Sequence, residues 1–484
     1  MGKQNKEFVK EITPQSEDYS QWYLDVILKA QMMDYAPVKG CMVIRPYGYT
    51  LWENMQQGLD KRIKDTGHQN AYFPIFIPES LLQKEADHVE GFAPEVAWVT
   101  HGGNEKLTER LVVRPTSETI ICEMYSRWIQ SYRDLPLLIN QWCNVVRWEK
   151  VTRPFLRTTE FLWQEGHTAH RNEEEAEEET KKMLAVYQDF VENDLAMPVI
   201  TGQKTEKEKF AGALRTYSIE ALMSDGKALQ AGTSHNLGTH FAKVFDITYL
   251  DSDGELKYVW QTSWGVTTRL IGAIIMVHGD DGGLVLPPKV APIQAILIPI
   301  APKKAREQVL DKAAEIFTAL KASGLRIKMD DREEYSPGWK FNEWEMKGVP
   351  LRIEVGPRDL EAGQAVLVRR DNGVKETVAI SELTRYIPVL LEQIQTNMYH
   401  KAKQFMEANT HRTDDYQEFK QIMEEKRGFI VASWCGNSDC EETVKEETKA
   451  TIRNIPFHLQ QETPGKCICC GHEAKHLVIF ARAY

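Results

Sequence analysis

Between Gln141 and His167 the chain reads QWCNVVRWEKVTRPFLRTTEFLWQEGH, two apolar runs through which arginines, carboxylates and aromatic rings are interleaved. Such a mixture suits a charged ligand. Asn144 to Trp148 reads as a buried strand, Lys150 to Pro154 as a turn, and Phe155 to Trp163 as a return strand, which together make a long-looped antiparallel hairpin. Period-two alternation then puts Arg147 and Glu149 on one face, and Arg157, Thr159 and Phe161 on a face of the partner strand. Guanidinium forks grip phosphate oxygens bidentately and an aromatic face stacks on a base, so the ligand that fits is a nucleotide. A salt-bridged sheet face would carry the same residue types.

The spacing Arg147-x-Glu149, a loop, then Arg157-x-x-x-Phe161 resembles motif 2 of the class II aminoacyl-tRNA synthetases. Nearly the whole chain is similar to prolyl-tRNA synthetases of the archaeal and eukaryotic type; a bacterial member without an inserted editing domain is equally compatible. The strings that carry the likeness are GCMVIRPYG (Gly40 to Gly48), FAPEVAWVT (Phe92 to Thr100), RPTSET (Arg114 to Thr119), GTSHNLG (Gly232 to Gly238), SWGVTTR (Ser263 to Arg269) and EVGPRD (Glu354 to Asp359). The resemblance implies a proline–tRNA ligase that makes prolyl-adenylate from ATP and L-proline and passes the prolyl group to tRNA(Pro). Arg147 and Arg269 would be catalytic. Proline would meet Thr116, Glu118, Arg147, Trp163, Glu165, His167 and His235. ATP, with Mg²⁺, would meet Arg147, Glu149, Arg157, Thr158, Phe161, Gln230, Thr233, Thr267 and Arg269. Lys340, Glu354 and Arg358 are the implied anticodon contacts.

These residues need elements to hold them. Asp18 to Ala30 and Gly48 to Thr66 read as helices, and Asn70 to Pro78 as one strand closed by proline. A long helix feeding such a strand resembles motif 1, which implies a homodimer. Thr116-Ser117-Glu118 opens a helix with an acid in its first turn. Asn172 to Thr180 carries six carboxylates and opens a solvated helix with Met183, Tyr187 and Phe190 or Val191 buried. A helix from Arg269 to Met276 resembles motif 3.

Pro287-Pro288 marks a boundary, after which strands and helices alternate as in a compact α/β domain with a mainly parallel core. The expected fold class is therefore α/β multidomain: an antiparallel-sheet class II catalytic domain (1–286), an α/β anticodon-binding domain (287–396) and a small α+β zinc-binding carboxy-terminal domain (397–484). The stretch from Arg171 to Gln230 is too short for a hydrolytic domain, so no cis-editing is expected.

Net charge is −11 over 484 residues, which disfavours a general nucleic-acid binder and leaves tRNA to local basic patches. MGKQNKEFVKEITPQ has neither an apolar nor an Arg-rich amphipathic leader pattern, and no run approaches 18 apolar residues, so a cytoplasmic location without membrane contact is expected. No Walker loop, dinucleotide glycine pattern or class I signature is present. Of eight cysteines, Cys41, Cys122 and Cys143 sit singly in apolar contexts and read as small buried residues. The other five crowd the carboxy terminus, where Cys435, Cys440, Cys467 and Cys470 have the spacing of a structural Zn²⁺ site. Cys469 is the alternative to Cys470. The closing HLVIFARAY reads as an ordered apolar strand running to Tyr484.

Overall fold

The computed structural model describes residues 12–86 and 96–484. Most of the amino-terminal string, residues 1–11, and Phe92 to Glu95 of FAPEVAWVT lie outside the described residues. α1 (Tyr19–Lys29) is capped by Asp18, whose carboxylate accepts from the N–H groups of Ser20 and Gln21. α2 (Pro46–Asp65) begins on a proline, where a missing N–H costs nothing. Their buried faces, Trp22, Tyr23, Val26 and Ile27 with Leu51, Trp52, Met55 and Leu59, enter the largest core cluster. α3 (Glu118–Trp128) starts after Ser117.

The catalytic sheet is built from β1 (Leu137–Val146), β2 (Glu160–His170), β3 (Ile200–Gln203), β4 (Arg215–Leu222), β5 (Ala228–Gly238) and β6 (Trp260–Thr267). Their spatial order is β3-β4-β5-β6-β2-β1, every pair antiparallel. α4 (Glu173–Asn193) and α5 (Arg269–His278) pack beside it, Met183, Leu184, Tyr187, Phe190 and Val191 of α4 joining Ile219, Trp264 and Val266 in the core. Gly166 on β2 lies under the Trp264 indole; a Cβ there would sit 2.1 Å from the ring, so only glycine admits the crossing. From 171 to 259 the chain is spent on α4, β3, β4, β5, the helix His240–Val244 and the hairpin Thr248–Leu250/Leu256–Tyr258.

Three expectations need correction. The hairpin strands are Leu137–Val146 and Glu160–His170, not Asn144 to Trp148 and Phe155 to Trp163. Pro154 and Phe155, the latter at φ +59°, break the extended run, and Phe155 and Leu156 turn into the core. Asn70 to Pro78 is not one strand either. Gln69–Asn70 pairs parallel with β1, whereas Phe76–Pro78 pairs with Glu105–Val113 in a separate sheet. Pro74 has no N–H for a ladder and separates the two. The acidic run does open a helix, but Glu179 is buried, facing His68 at 3.2 Å and Lys182 at 2.9 Å rather than water.

After Leu284 a second sheet contains β7 (Ala295–Pro299), β8 (Ile327–Met329), β9 (Leu351–Val355), β10 (Gln364–Arg369) and β11 (Lys375–Ala379), ordered β8-β7-β9-β10-β11. Only β8, β7 and β9 are mutually parallel; β10 and β11 add as an antiparallel meander, so the expected mainly parallel core is a mixed sheet. α6 (Arg306–Ala322), α7 (Pro337–Met346) and α8 (Leu383–Ala408) accompany it. Residue 396, the expected junction, falls inside α8. The carboxy-terminal module comprises β12 (Phe429–Trp434), α9 (Ser438–Thr448), β13 (Thr451–Pro456) and β14 (His476–Ala481). It does not hang on a linker: β13 pairs with β3 through Ile455↔Gln203 and Pro456↔Gly202, which extends the catalytic sheet into the module.

Candidate active site

The β1–β2 ladder ends at Val146↔Glu160, and one further bond, from the Arg147 N–H to the Thr159 carbonyl at 2.8 Å, sets the exit of the loop. Within the loop Arg153 and Arg157 exchange backbone bonds of 2.6 and 2.9 Å, and Tyr23 of α1 donates to the Pro154 carbonyl at 2.8 Å. Buried Phe155 and Leu156 anchor this small turn, so Arg157 is delivered back toward β2 without being part of it. Arg147, Glu149, Arg157, Thr158, Phe161, Trp163, Glu165 and His167 then line one cavity of about 330 Å³. Thr116 just before α3 and Glu118 in its first turn, Gln230, Thr233 and His235 from β5, and Thr267 and Arg269 at the β6–α5 junction complete its wall. Every residue expected from the sequence to touch proline or ATP therefore meets the same space.

One end of the cavity is a dense polar floor. Glu165 accepts from Ser117 Oγ at 2.5 Å and Gln141 Nε2 at 2.8 Å, and faces His167 Nε2 at 2.9 Å. Burial opposes charge on Glu165, but the bonds from His167, Ser117 and Gln141 outweigh it and hold the carboxyl below its ordinary range. Burial also works against charge on His167, and Glu165 with Glu118 reverses that and raises it. Burial, with the nearby charge of His167, pulls His235 down to about 3, so this imidazole is neutral at physiological pH. Its Nδ1 is 2.9 Å from Thr216 Oγ1. Thr116 donates to Glu118, which leaves a carboxylate and a hydroxyl at the mouth of α3.

The other end is cationic. Arg147 lies over both Phe161 and Trp163, at 5.5 and 5.6 Å from their ring centres, and these rings meet edge to face at 6.0 Å. Arg157 is 3.6 Å from Glu149. Arg269 stands at the first turn of α5, its N–H capped by Thr267 Oγ1 at 3.0 Å and its Nε donating to the Leu156 carbonyl at 3.3 Å. Burial first, then the like charges of Arg157 and Arg147, bring its pKa down to about 10, so it stays protonated while sensing two other guanidiniums. Three guanidiniums gathered around one cavity are arranged for a polyanion.

Several lining or supporting groups escape the sequence reading. Lys209 and Phe210 enter from the turn before β4, Phe210 lying 4.8 Å from the His235 ring. No periodicity or motif marks that turn. Cys143, read as a plain buried residue, donates to Glu165 at 3.3 Å and accepts from the Trp163 indole at 3.1 Å. Alternation along β1 puts Gln141 and Cys143 under β2, a signal available once the register is known.

The expected anticodon residues do not assemble in this way. Lys340 is buried and donates to the Asp330 carbonyl at 3.0 Å, Glu354 holds Arg352 at 2.8 Å, and Arg358 lies on the short helix Pro357–Glu361. A cleft of about 410 Å³ in this part of the chain is lined by both charges, Arg352, Arg369, Arg370 and Lys375 with Asp280, Glu345 and Asp371, and by none of these three residues.

At the far end, the Sγ atoms of Cys435, Cys440, Cys467 and Cys470 all lie within 4.8 Å of one another. Cys435 is 3.7 Å from Cys440 and 3.8 Å from Cys470. Thiolates about 2.3 Å from a central ion form a tetrahedron with edges of about 3.8 Å, so the set fits Zn²⁺ closed by four sulfurs, with Cys470 in place and Cys469 outside. The chain end is ordered: β14 runs to Ala481, the Tyr484 N–H bonds the Ala228 carbonyl at 3.1 Å, and its hydroxyl bonds Asp225 at 2.6 Å. Its ring lies 5.2 Å from Arg153 of the motif-2-like loop.

Three family profiles match: "tRNA synthetase class II core domain (G, H, P, S and T)" over 98–278, "Anticodon binding domain" over 294–390 and "Prolyl-tRNA synthetase, C-terminal" over 416–484. A proline–tRNA ligase of Natranaerobius thermophilus is 68% identical and one of Symbiobacterium thermophilum 62%, each alignment covering 100% of both chains. The crystal structure of prolyl-tRNA synthetase from Cryptosporidium parvum, complexed with halofuginone and AMPPNP, superposes with a TM-score of 0.93 at 45% identity. It covers 98% of this chain and is itself covered to 99%. With the three-arginine cavity, the class II sheet and the cysteine module on one continuous chain, this protein belongs to the prolyl-tRNA synthetase family of class II aminoacyl-tRNA ligases.

Proposed function

We propose that the protein activates L-proline with ATP and esterifies tRNA(Pro). The observation that carries this is the convergence of every expected substrate residue on one cavity that is acidic and aromatic at one end and cationic at the other. The proline carboxylate attacks the α-phosphorus and pyrophosphate leaves, so no protein nucleophile is needed; the protein supplies position and charge. Arg147, between the two ends, holds the proline carboxylate against the α-phosphate. Arg157 and Arg269 hold the phosphate tail, Phe161 stacks on adenine, and Glu149, Thr158, Gln230, Thr233 and Thr267 fix the nucleotide. Thr116 and Glu118 take the ring ammonium against Trp163, with Glu165, His167 and His235 behind. Mg²⁺, when bound, would neutralise charge on the phosphates, and Glu149, 3.6 Å from Arg157 in the cavity wall, is a carboxylate that would hold it. Cys435, Cys440, Cys467 and Cys470 would hold Zn²⁺ as a structural ion, which would tie the cysteine module together.

The reading divides the chain into catalytic (1–286), anticodon-binding (287–396) and zinc-binding (397–484) parts. The anticodon is assigned to this second part, with Lys340, Glu354 and Arg358 as its candidate contacts. A homodimer is supported by the exposed rings of Tyr72, Phe76, Trp98 and Trp128 around the motif-1-like region. Among the described residues no helix is long and apolar enough to cross a membrane, and a cytoplasmic site of action follows from the translation role.

Pyrophosphate exchange with each of the twenty amino acids should run fastest with proline. Alanine should follow slowly, because each missing methylene costs a substrate only about 1 to 3 kcal/mol. Since 171–259 is filled by catalytic-domain elements, pre-formed alanyl-tRNA(Pro) should persist in the presence of the enzyme. Faster exchange with any other amino acid would overturn the assignment.

A further inference from the structure

The turn that brings Lys209 and Phe210 into the cavity is held from outside the catalytic domain. Thr205 begins it: its carbonyl accepts from the N–H groups of Glu208 and Lys209 at 3.1 and 2.9 Å, and its hydroxyl accepts from Glu208 at 3.3 Å. That same hydroxyl donates to Glu441 Oε1 at 3.0 Å. Glu441 stands on α9, beside Cys440, and both Thr205 and Glu441 are 2% exposed. Lys207 in the turn is ion-paired with Glu442 of the same helix. The residue before the turn, Lys204, is equally buried, donating to the Arg453 carbonyl of β13 at 2.6 Å and to Glu220 at 2.9 Å. At the other end the Phe210 N–H bonds Thr216 Oγ1 at 3.0 Å, the hydroxyl that also meets His235.

We propose that Glu441 is a positioning residue for the amino-acid end of the active site: through Thr205 it fixes the 205–210 turn and so the placement of Phe210 over His235. The bond is fully buried, so deleting its acceptor would leave the Thr205 hydroxyl unpaired away from water. The internal bonds of the turn converge on Thr205, so the turn follows the helix that holds this residue. The carboxy-terminal module thereby shapes the substrate pocket across the domain boundary, in addition to extending the sheet. This rests on the reading that the cavity's acidic end receives the amino acid.

The test uses the full-length enzyme in proline-dependent pyrophosphate exchange. Glu441→Ala should raise KM for proline about tenfold, the loss expected when a buried hydroxyl loses its acceptor. The KM for ATP and kcat should stay within about twofold, the pattern of lost ground-state positioning. Zinc content and thermal midpoint should match the parent. Glu441→Gln keeps an oxygen acceptor and should restore KM. Thr205→Val should reproduce the alanine effect, and the double variant should be no worse than either single one. Phe210→Ala reports independently on the pocket. If it raises KM for proline while Glu441→Ala does not, the positioning role is wrong and the pocket assignment stands. If Phe210→Ala leaves KM unchanged, both fall. A Glu441→Ala protein that loses zinc and declines equally in kcat and both KM values, with Thr205→Val normal, makes Glu441 a structural staple and also overturns the proposal.

Discussion

Replacing Arg269 by alanine should reduce proline-dependent pyrophosphate exchange by on the order of 10² to 10³, the usual loss when one preorganised charge donor is removed from a developing anion. The protein should remain folded, because Arg269 sits at the amino-terminal turn of α5, where its side chain makes one weak bond, to the Leu156 carbonyl, while the helix is held by Leu270, Ile271, Ile274 and Ile275 in the core. Arg147→Ala should lose a comparable factor for a different reason: its guanidinium spans the two ends of the cavity and packs on both Phe161 and Trp163. Lysine should rescue neither, since a point charge cannot reproduce the fork or the ring contact. The effect should fall on both KM for ATP and kcat, because the phosphate tail is anionic before attack and the leaving pyrophosphate gains further charge as the α-phosphorus is attacked. Near-normal exchange by Arg269→Ala, in protein with an unchanged unfolding transition, would take this residue out of the mechanism.

The chemistry was more legible in the sequence than the backbone that presents it. Arg147, Arg157 and Phe161 were found by alternation, yet Arg147 and Arg157 lie beyond the regular strands. The pattern succeeded because the loop returns through the Arg153–Arg157 bridge and keeps the side chains in step. Asn70 to Pro78 failed for the opposite reason: an apolar run looks the same whether it serves one sheet or two, and the decisive event is the missing donor at Pro74. The 205–210 turn was invisible because its position depends on contacts with residues more than two hundred positions away. Lys340 and Glu354 already have intramolecular partners in Asp330 and Arg352, which the sequence did not show. The continuity of α8 through residue 396 was not legible, because the sequence around it reads equally as the end of one helix and the start of another. Pro388, inside α8, is present without ending it.

Removal of the metal should have the largest effect on stability. Freshly purified protein should carry one Zn²⁺ per chain, and Cys440→Ser or Cys467→Ser should lose it, since each deletes one corner of a closed tetrahedron. Both thiols are buried, at 7% and 3% exposure, and Cys440, Cys467 and Ile468 are part of the module's own core with Trp434, Val444 and Phe480. That core is small, and structural zinc contributes about 10 to 16 kcal/mol in peptide sites, so the module should not hold its fold against chelation. The consequence should extend beyond the module. β13 pairs with the catalytic edge strand β3, and Arg453 on β13 holds Glu220 of β4 at 3.1 Å, so loss of zinc should lower the main unfolding transition as well as melt the carboxy-terminal part. Cys469→Ala should keep full zinc and a normal transition, because its sulfur lies outside the set, whereas Cys470→Ala should lose the ion. Zinc measured by emission spectroscopy beside a calorimetric scan decides the matter: zinc retained by Cys470→Ala and lost by Cys469→Ala would reassign the fourth ligand, and a stable, cooperative, zinc-free parent protein would remove the metal from the fold altogether.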